Sequence, residues 1–340
     1  MKKIFILLFF AIFPLISQAI GNLNEIVVIH SYPPGEWQKG ISKGIESSLN
    51  STSRKFKFRH ILYDYETLKF KKNQEQEKRV SEIIKQILDI SPSYVVINDD
   101  EAIEKILPKL RSFRNVILNG INDIPQNTIW GKANDLSQRC GVIEHYPVTQ
   151  SLRMISQMSP KIQSMSVISS QGESSKIVAK IFRNLDANQL HGIKLRKISL
   201  ENHWENWKRE LFDLNKHDGV GWILVPYEVV DENGRKMPLN EMASWIRKNV
   251  SVPLLGILSV HTKMGFLSAI SVEPYGLGKQ TSEIIARIER GEKCSEIGFE
   301  KSKYHNFEIN IDELKRFGFK VPDNFIGVAK FVKTDTEISK

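Results

Sequence analysis

Glu25-Ile26-Val27-Val28-Ile29-His30-Ser31-Tyr32-Pro33-Pro34-Gly35-Glu36-Trp37-Gln38-Lys39-Gly40-Ile41-Ser42-Lys43-Gly44-Ile45 changes character twice. Ile26 to Ile29 is an unbroken β-branched run between polar residues, the form of a strand buried on both faces. Trp37, Ile41, Ile45 and Leu49 then recur every fourth residue, which suits a helix laid on that sheet. The polar, aromatic loop between them falls at the carboxyl end of the strand. In open α/β sheets this is where side chains and helix amides converge on ligands. Two readings of the loop stand: packing for stability, or a grip on something small.

The pattern repeats outward from that unit. Phe56 to Asp64 reads as a second strand and Gln74 to Ile90 as a helix with a stripe of Val80, Ile83, Ile84, Ile87 and Leu88. Tyr94-Val95-Val96-Ile97 and Asn115 to Asn119 are further buried strands, ending in Asn98-Asp99-Asp100 and Gly120-Ile121-Asn122-Asp123. Parallel strands put such loops on one edge, although Asn, Asp and Gly are also ordinary turn and capping residues. A second series starts at Gly141-Val142-Ile143-Glu144. Its strands lie near 164–168, 194–199, 221–225 and 252–257, and its candidate binding loops are Ser169-Ser170-Gln171 and Pro226-Tyr227. Trp204, Trp207, Leu211 and Leu214 form a helical stripe that reads as core. A strand at 265–272, a helix at 280–290, short strands at 296–299 and 306–309, and a capped helix at 312–317 complete the chain, with a polar tail from Lys333. Alternating strand and helix argue for α/β units on parallel sheets.

Lys2 and Lys3, the apolar run Ile4 to Ile16, and Ser17-Gln18-Ala19 form a secretory signal peptide over residues 1–19. The run is short for a bilayer span and no Cys follows it, so the mature chain is expected in the periplasm without stable membrane insertion. About 320 residues then remain, enough for two domains. Removing Lys2 and Lys3 from the 48 basic residues leaves 46 against 39 acidic, a net charge of +7. The excess favours anionic partners in general. Its densest part, Arg54-Lys55-Phe56-Lys57-Phe58-Arg59, alternates like a solvent-faced edge strand, and no nucleic-acid partner is expected. Cys140 and Cys294 are the only cysteines, and an oxidising compartment permits a disulfide.

No phosphate-binding loop, zinc spacing, His-Glu-x-x-His or Gly-x-Ser-x-Gly elbow occurs. His30, His145 and His261 lie near loop ends and have the option of converging. Catalysis has no positive support, no cofactor is implied, and the chain reads as a binder.

The segments Ile29-His30-Ser31-Tyr32 with Trp37 and Gly44-Ile45, Tyr94 to Asp99, Gly141 to Glu144, Gly276-Leu277-Gly278-Lys279-Gln280, Gly291-Glu292-Lys293, Phe307 to Asn310 and Leu314 to Gly318 follow one another in a recognisable order. That order resembles the type I periplasmic binding protein fold, and more narrowly the ABC-transporter substrate-binding family that includes tryptophan and tyrosine binders. The His-Ser-Tyr opening is also similar to extracytoplasmic sensor regions of certain histidine kinases. The resemblance implies two Rossmann-like lobes with parallel sheets, joined by a three-crossover hinge. Lobe 1 is expected at 24–140 plus 265–292, lobe 2 at 141–264 plus 293–325, and a tail at 326–340. It places Cys140 and Cys294 at neighbouring crossovers, where a bond would restrain the hinge. It implies a small-molecule ligand held by Ser31, Tyr32, Trp37, Asp99 and Asn119 from lobe 1 and by Ser170, Gln171 and Tyr227 from lobe 2. Glu273 and Tyr275 stand near a crossover. Tyr32 and Trp37 would stack on a planar group, Asp99 or Glu273 would pair with an amine, and the helix after Ser170 would take a carboxylate, a combination that suits an amino acid. The implied partner is an ABC permease or, alternatively, a membrane sensor kinase. Pro33-Pro34-Gly35-Glu36 is longer and stiffer than the family's usual link.

Overall fold

The computed structural model describes residues 24–50 and 54–335. The signal peptide expected at 1–19 lies outside them. Strands run, in chain order, β1 (Glu25–His30), β2 (Lys57–Leu62), β3 (Tyr94–Asn98), β4 (Val116–Ile121), β5 (Cys140–Ile143), β6 (Ser164–Ser169) and β7 (Lys194–Leu200). They continue as β8 (Gly219–Ile223), β9 (Leu254–Gly256), β10 (Ser268–Val272), β11 (Phe299–Lys301), β12 (His305–Asn310) and β13 (Lys330–Val332). They form two sheets, ordered β11-β5-β4-β3-β1-β2 and β13-β12-β10-β9-β8-β6-β7. The first is parallel throughout, and the second is parallel except where β10 meets β12. The architecture is the two-lobed α/β arrangement the sequence implies.

Ile26, Val27, Val28 and Ile29 are fully buried, because helices cover both faces of β1. Each such side chain contributes roughly 1.5–3 kcal/mol through burial. The helix Glu36–Asn50 packs along the helix Pro274–Glu289, and glycines set the spacing. A Cβ on Gly44 would lie 2.1 Å from the Tyr275 carbonyl oxygen, and one on Gly278 would lie 2.1 Å from that of Ile41. The helix backbones therefore meet directly, which pins the helix following the opening loop.

The chain crosses between sheets three times: after β5, after β10 and between β11 and β12. These places correct the expected lobe limits. β5 belongs to the first sheet, β10 to the second and β11 to the first, so the crossings fall near 144–147, at 273 and at 302–304. Residues 265–272 pair in lobe 2, whereas the helix after them packs in lobe 1; a strand and its following helix need not share a lobe when the crossover is one residue long. Residues 296–299, expected as a strand, begin instead with the helix Cys294–Ile297, which Glu296 caps by accepting from the Lys293 N–H at 3.3 Å. The expected tail is also partly folded: β13 extends the second sheet, and the Asn310 side-chain amide donates to Thr334 Oγ1 at 2.9 Å.

Cys140 and Cys294 are bonded, with Cα atoms 4.9 Å apart. Cys140 opens β5, whereas the crossover follows its other end, and Cys294 precedes β11 in the same sheet. The bond therefore ties two segments of lobe 1 and does not bridge the hinge. Replacing both cysteines by alanine is expected to remove roughly 2–5 kcal/mol of stability. Chemical denaturation would measure this, and ligand affinity measured in parallel is expected to stay within about twofold, since the hinge is untouched.

Candidate ligand-binding site

The carboxyl ends of β1, β3, β4 and β5 face the crossovers, and the residues following them form one acidic, aromatic wall. Asp99 follows β3 with φ +68° and ψ 148°, a conformation foreign to most residues other than glycine. Its N–H is held by the Asn119 carbonyl at 2.9 Å and its own carbonyl accepts from Ile103 N–H at 3.2 Å, so both flanks keep the strained geometry in place. The Asp99 side chain is buried. Oδ1 accepts a long bond from Trp37 Nε1 at 3.4 Å, while Oδ2 has no partner.

Glu144 follows β5 and reaches the same place. Gly120, with φ +69°, separates the two acids: a Cβ there would stand 3.2 Å from Asp99 Oδ1 and 3.4 Å from Glu144 Oε1. The Tyr146 hydroxyl donates to Glu144 Oε2 at 2.5 Å. Tyr32 lies beside the Glu101 carboxylate and meets the Tyr65 ring edge-on at 6.0 Å. Burial first, then the charges of Glu101 and Glu144, push the Asp99 carboxyl well above its ordinary range. Burial likewise raises Glu144 to about 8, against the Tyr146 hydrogen bond. Among the described residues, no cationic side chain pairs with the buried carboxyls Asp99 and Glu144 of this wall. A protonated amine would supply the missing partner.

Other expected contacts are used inside the scaffold. Ser31 donates to the Asn98 carbonyl at 2.8 Å and accepts from Ala102 N–H at 2.9 Å, tying β1 to the helix after β3. Asn119 donates to Asn98 Oδ1 at 2.7 Å and accepts from Thr281 at 2.8 Å. Asp100 is spent on Asn122 and Trp130. In lobe 2, Ser170 is fully buried with its hydroxyl 3.1 Å from that of Ser175, and Gln171 donates through its side chain to the Leu200 carbonyl at 3.0 Å. The Tyr275 hydroxyl lies 3.0 Å from Ser47 Oγ, on the flank of the helix Glu36–Asn50. Glu273 sits at the second crossover, its N–H bonded to the Tyr304 carbonyl at 3.1 Å. Tyr227 is 40% exposed.

The helix Glu173–Arg183, expected to take a ligand carboxylate, already has an acid at its amino end. A Cβ on its capping residue Gly172 would be 2.7 Å from Glu228 Oε2. The three histidines do not converge. His30 lies 3.1 Å from His60, His145 shares the hinge with His305, and His261 is buried against the Phe266 ring, where burial lowers its pKa to about 3. No group of three metal-binding side chains exists among the described residues.

The crossovers are tied together beside this wall. His145 N–H donates to Ser302 Oγ at 2.9 Å, and His305 Nε2 donates to the His145 carbonyl at 2.7 Å. At the mouth, Lys180 of lobe 2 approaches Asp123 of lobe 1 at 3.4 Å, a half-exposed pair worth little by itself.

Sequence reasoning missed Glu144, Tyr146 and Glu101. A signal was present for the first: Gly141-Val142-Ile143-Glu144 is an apolar run ending in an acid, the same form as Tyr94 to Asp99.

The family model described as "ABC transporter substrate binding protein" matches residues 40–333. A domain in complex with L-Trp from Streptococcus pneumonia shares the fold at a TM-score of 0.62 and 16% identity, covering 90% of this chain and 99% of that one. A ligand-free, open substrate binding protein with adhesive properties from Clostridium difficile superposes at a TM-score of 0.69 and 16% identity, covering 92% and 100%. An arabinose binding protein from Geobacillus stearothermophilus gives 0.57 at 13% identity, covering 87% and 99%. At these identities the structures speak for the fold alone. No curated protein sequence matches significantly. Among the described residues, no helix is long and apolar enough to cross a membrane.

Proposed function

This chain belongs to the ABC transporter substrate-binding protein family, and on that premise we propose that it is the periplasmic solute receptor of an ABC importer. Its ligand is a small molecule with a protonated amine and a flat apolar body. The observation that carries this reading is the unpartnered Oδ2 of buried Asp99, flanked by Glu144 and by the rings of Tyr32 and Trp37. A buried carboxyl without a partner is costly, and a ligand ammonium would both pair with it and lie against the rings. Tyr227 is the lobe 2 ring available to close over the ligand.

Aromatic amino acids and aromatic amines are the first classes to test, the Streptococcus neighbour being a tryptophan complex. Glu228 at the amino end of the helix Glu173–Arg183 disfavours a ligand carboxylate there, so decarboxylated amines are expected to bind at least as well as the parent amino acids.

Thermal-shift measurement on the mature protein, across aromatic amino acids, amines, sugars and anions, tests the reading. Stabilisation by amines alone supports it; stabilisation by sugars or anions alone sinks it. Trp37→Ala is expected to weaken amine binding by about tenfold while the fold is kept, read by calorimetric titration. Unchanged affinity would place the ligand away from this ring.

A further inference from the structure

A cavity of about 620 Å³ runs along the flank of lobe 1 between the helix Glu36–Asn50 and β2, and reaches Tyr32 at the end nearest the acidic wall. β2 is the edge strand, so among the described residues no further strand extends the sheet past it on this flank. Leu62 of β2 is only partly covered and forms part of an apolar floor, with Tyr32 and Pro34 at one end. The volume falls within the range of small-molecule sites.

Its polar groups are sorted by charge. Lys39 and Lys43, one helical turn apart, are exposed on the wall, and neither has a carboxylate partner among the described residues. Glu46, the acid on the lining, is engaged by His60 Nε2 at 2.8 Å. His30 is 7% exposed, and its Nε2 lies 3.1 Å from His60 Nδ1 and 3.3 Å from Ser42 Oγ. The histidine pair and Ser42 hydrogen-bond one another in the lining, which leaves Lys39 and Lys43 as the wall's charged groups without a carboxylate partner among the described residues.

We propose that this groove is a binding site for an amphipathic organic anion, its acid group at Lys39 and Lys43 and its apolar body on Leu62, Pro34 and Tyr32. The charge preference is opposite to that of the acidic cleft, so the two sites select different molecules. Tyr32 is shared with the proposed cleft site, whereas Lys39, Lys43, Pro34 and Leu62 belong to this groove.

Anilinonaphthalene sulfonate is a suitable probe, being a fluorescent anion with an apolar body. Saturable one-to-one binding to the mature protein is expected. The K39A/K43A double variant changes only exposed side chains and should weaken it by about tenfold. Leu62→Trp should abolish binding by filling the groove, and Asp99→Asn should leave it unchanged. Circular dichroism confirms that each variant is folded. Absence of saturable binding to the parent protein, indifference to K39A/K43A, or loss in the Asp99 variant would each overturn the proposal.

Discussion

Asp99→Gly is expected to make the empty protein more stable and a poor receptor. Glycine adopts φ +68° without strain, and the substitution also removes a buried, unpartnered carboxyl. Relief of backbone strain alone is worth about 1–3 kcal/mol. The same change deletes the group proposed to pair with the ligand ammonium. Loss of one partner from a buried charged pair costs binding roughly 30-fold or more. Asp99→Asn separates the effects, because asparagine tolerates positive φ but carries no charge: affinity should fall while stability gains less than with glycine. Denaturant unfolding and calorimetric titration of both variants provide the readouts. An Asp99→Gly protein that binds as the parent does, or that unfolds more easily, would show that Asp99 serves the scaffold.

The second large effect is a pH dependence with opposite signs for the stability of the empty protein and for ligand affinity. Burial raises the Glu144 carboxyl from 4.5 to about 8. A carboxyl raised on folding contributes stability that is complete below its unfolded value and lost as pH rises through its folded value. The empty protein should therefore melt lower at pH 8 than at pH 5. An amine ligand prefers the ionised carboxylate, so binding below pH 8 releases a proton. Affinity should rise by up to about tenfold per pH unit from pH 6 to 8, then level off while the ligand amine stays charged. Calorimetric titration in buffers of different ionisation enthalpy counts the released proton directly. A flat affinity from pH 6 to 8 would remove Glu144 from the binding event, and Glu144→Gln should itself flatten the profile.

Much of the frame was legible in the chain. The β-branched run Ile26 to Ile29 and the four-residue spacing from Trp37 to Leu49 specify strand and helix by burial alone, and the alternation that follows specifies parallel α/β units. The crossover positions were less legible. Glu273 is a one-residue crossing, and no composition change marks it. The site divided along similar lines. Tyr32 and Asp99, which the proposed site uses, follow a buried strand directly, and Trp37 opens the helix after one, so local pattern alone singles them out. Ser31, Asn119 and Ser170 carry the same local signature, yet their hydrogen bonds are consumed within the scaffold.

Most of the elements, their mostly parallel pairing and the shared edge where their polar loops gather could be read from the chain alone. Those properties follow from local periodicity and burial. Only the tertiary structure decided that Glu144 stands across Gly120 from Asp99, that one Asp99 oxygen lacks a partner, and that the disulfide lies in lobe 1, away from the hinge. Each depends on which distant segments meet and on what their polar atoms have already bonded. Residue type and spacing along the chain do not encode that directly.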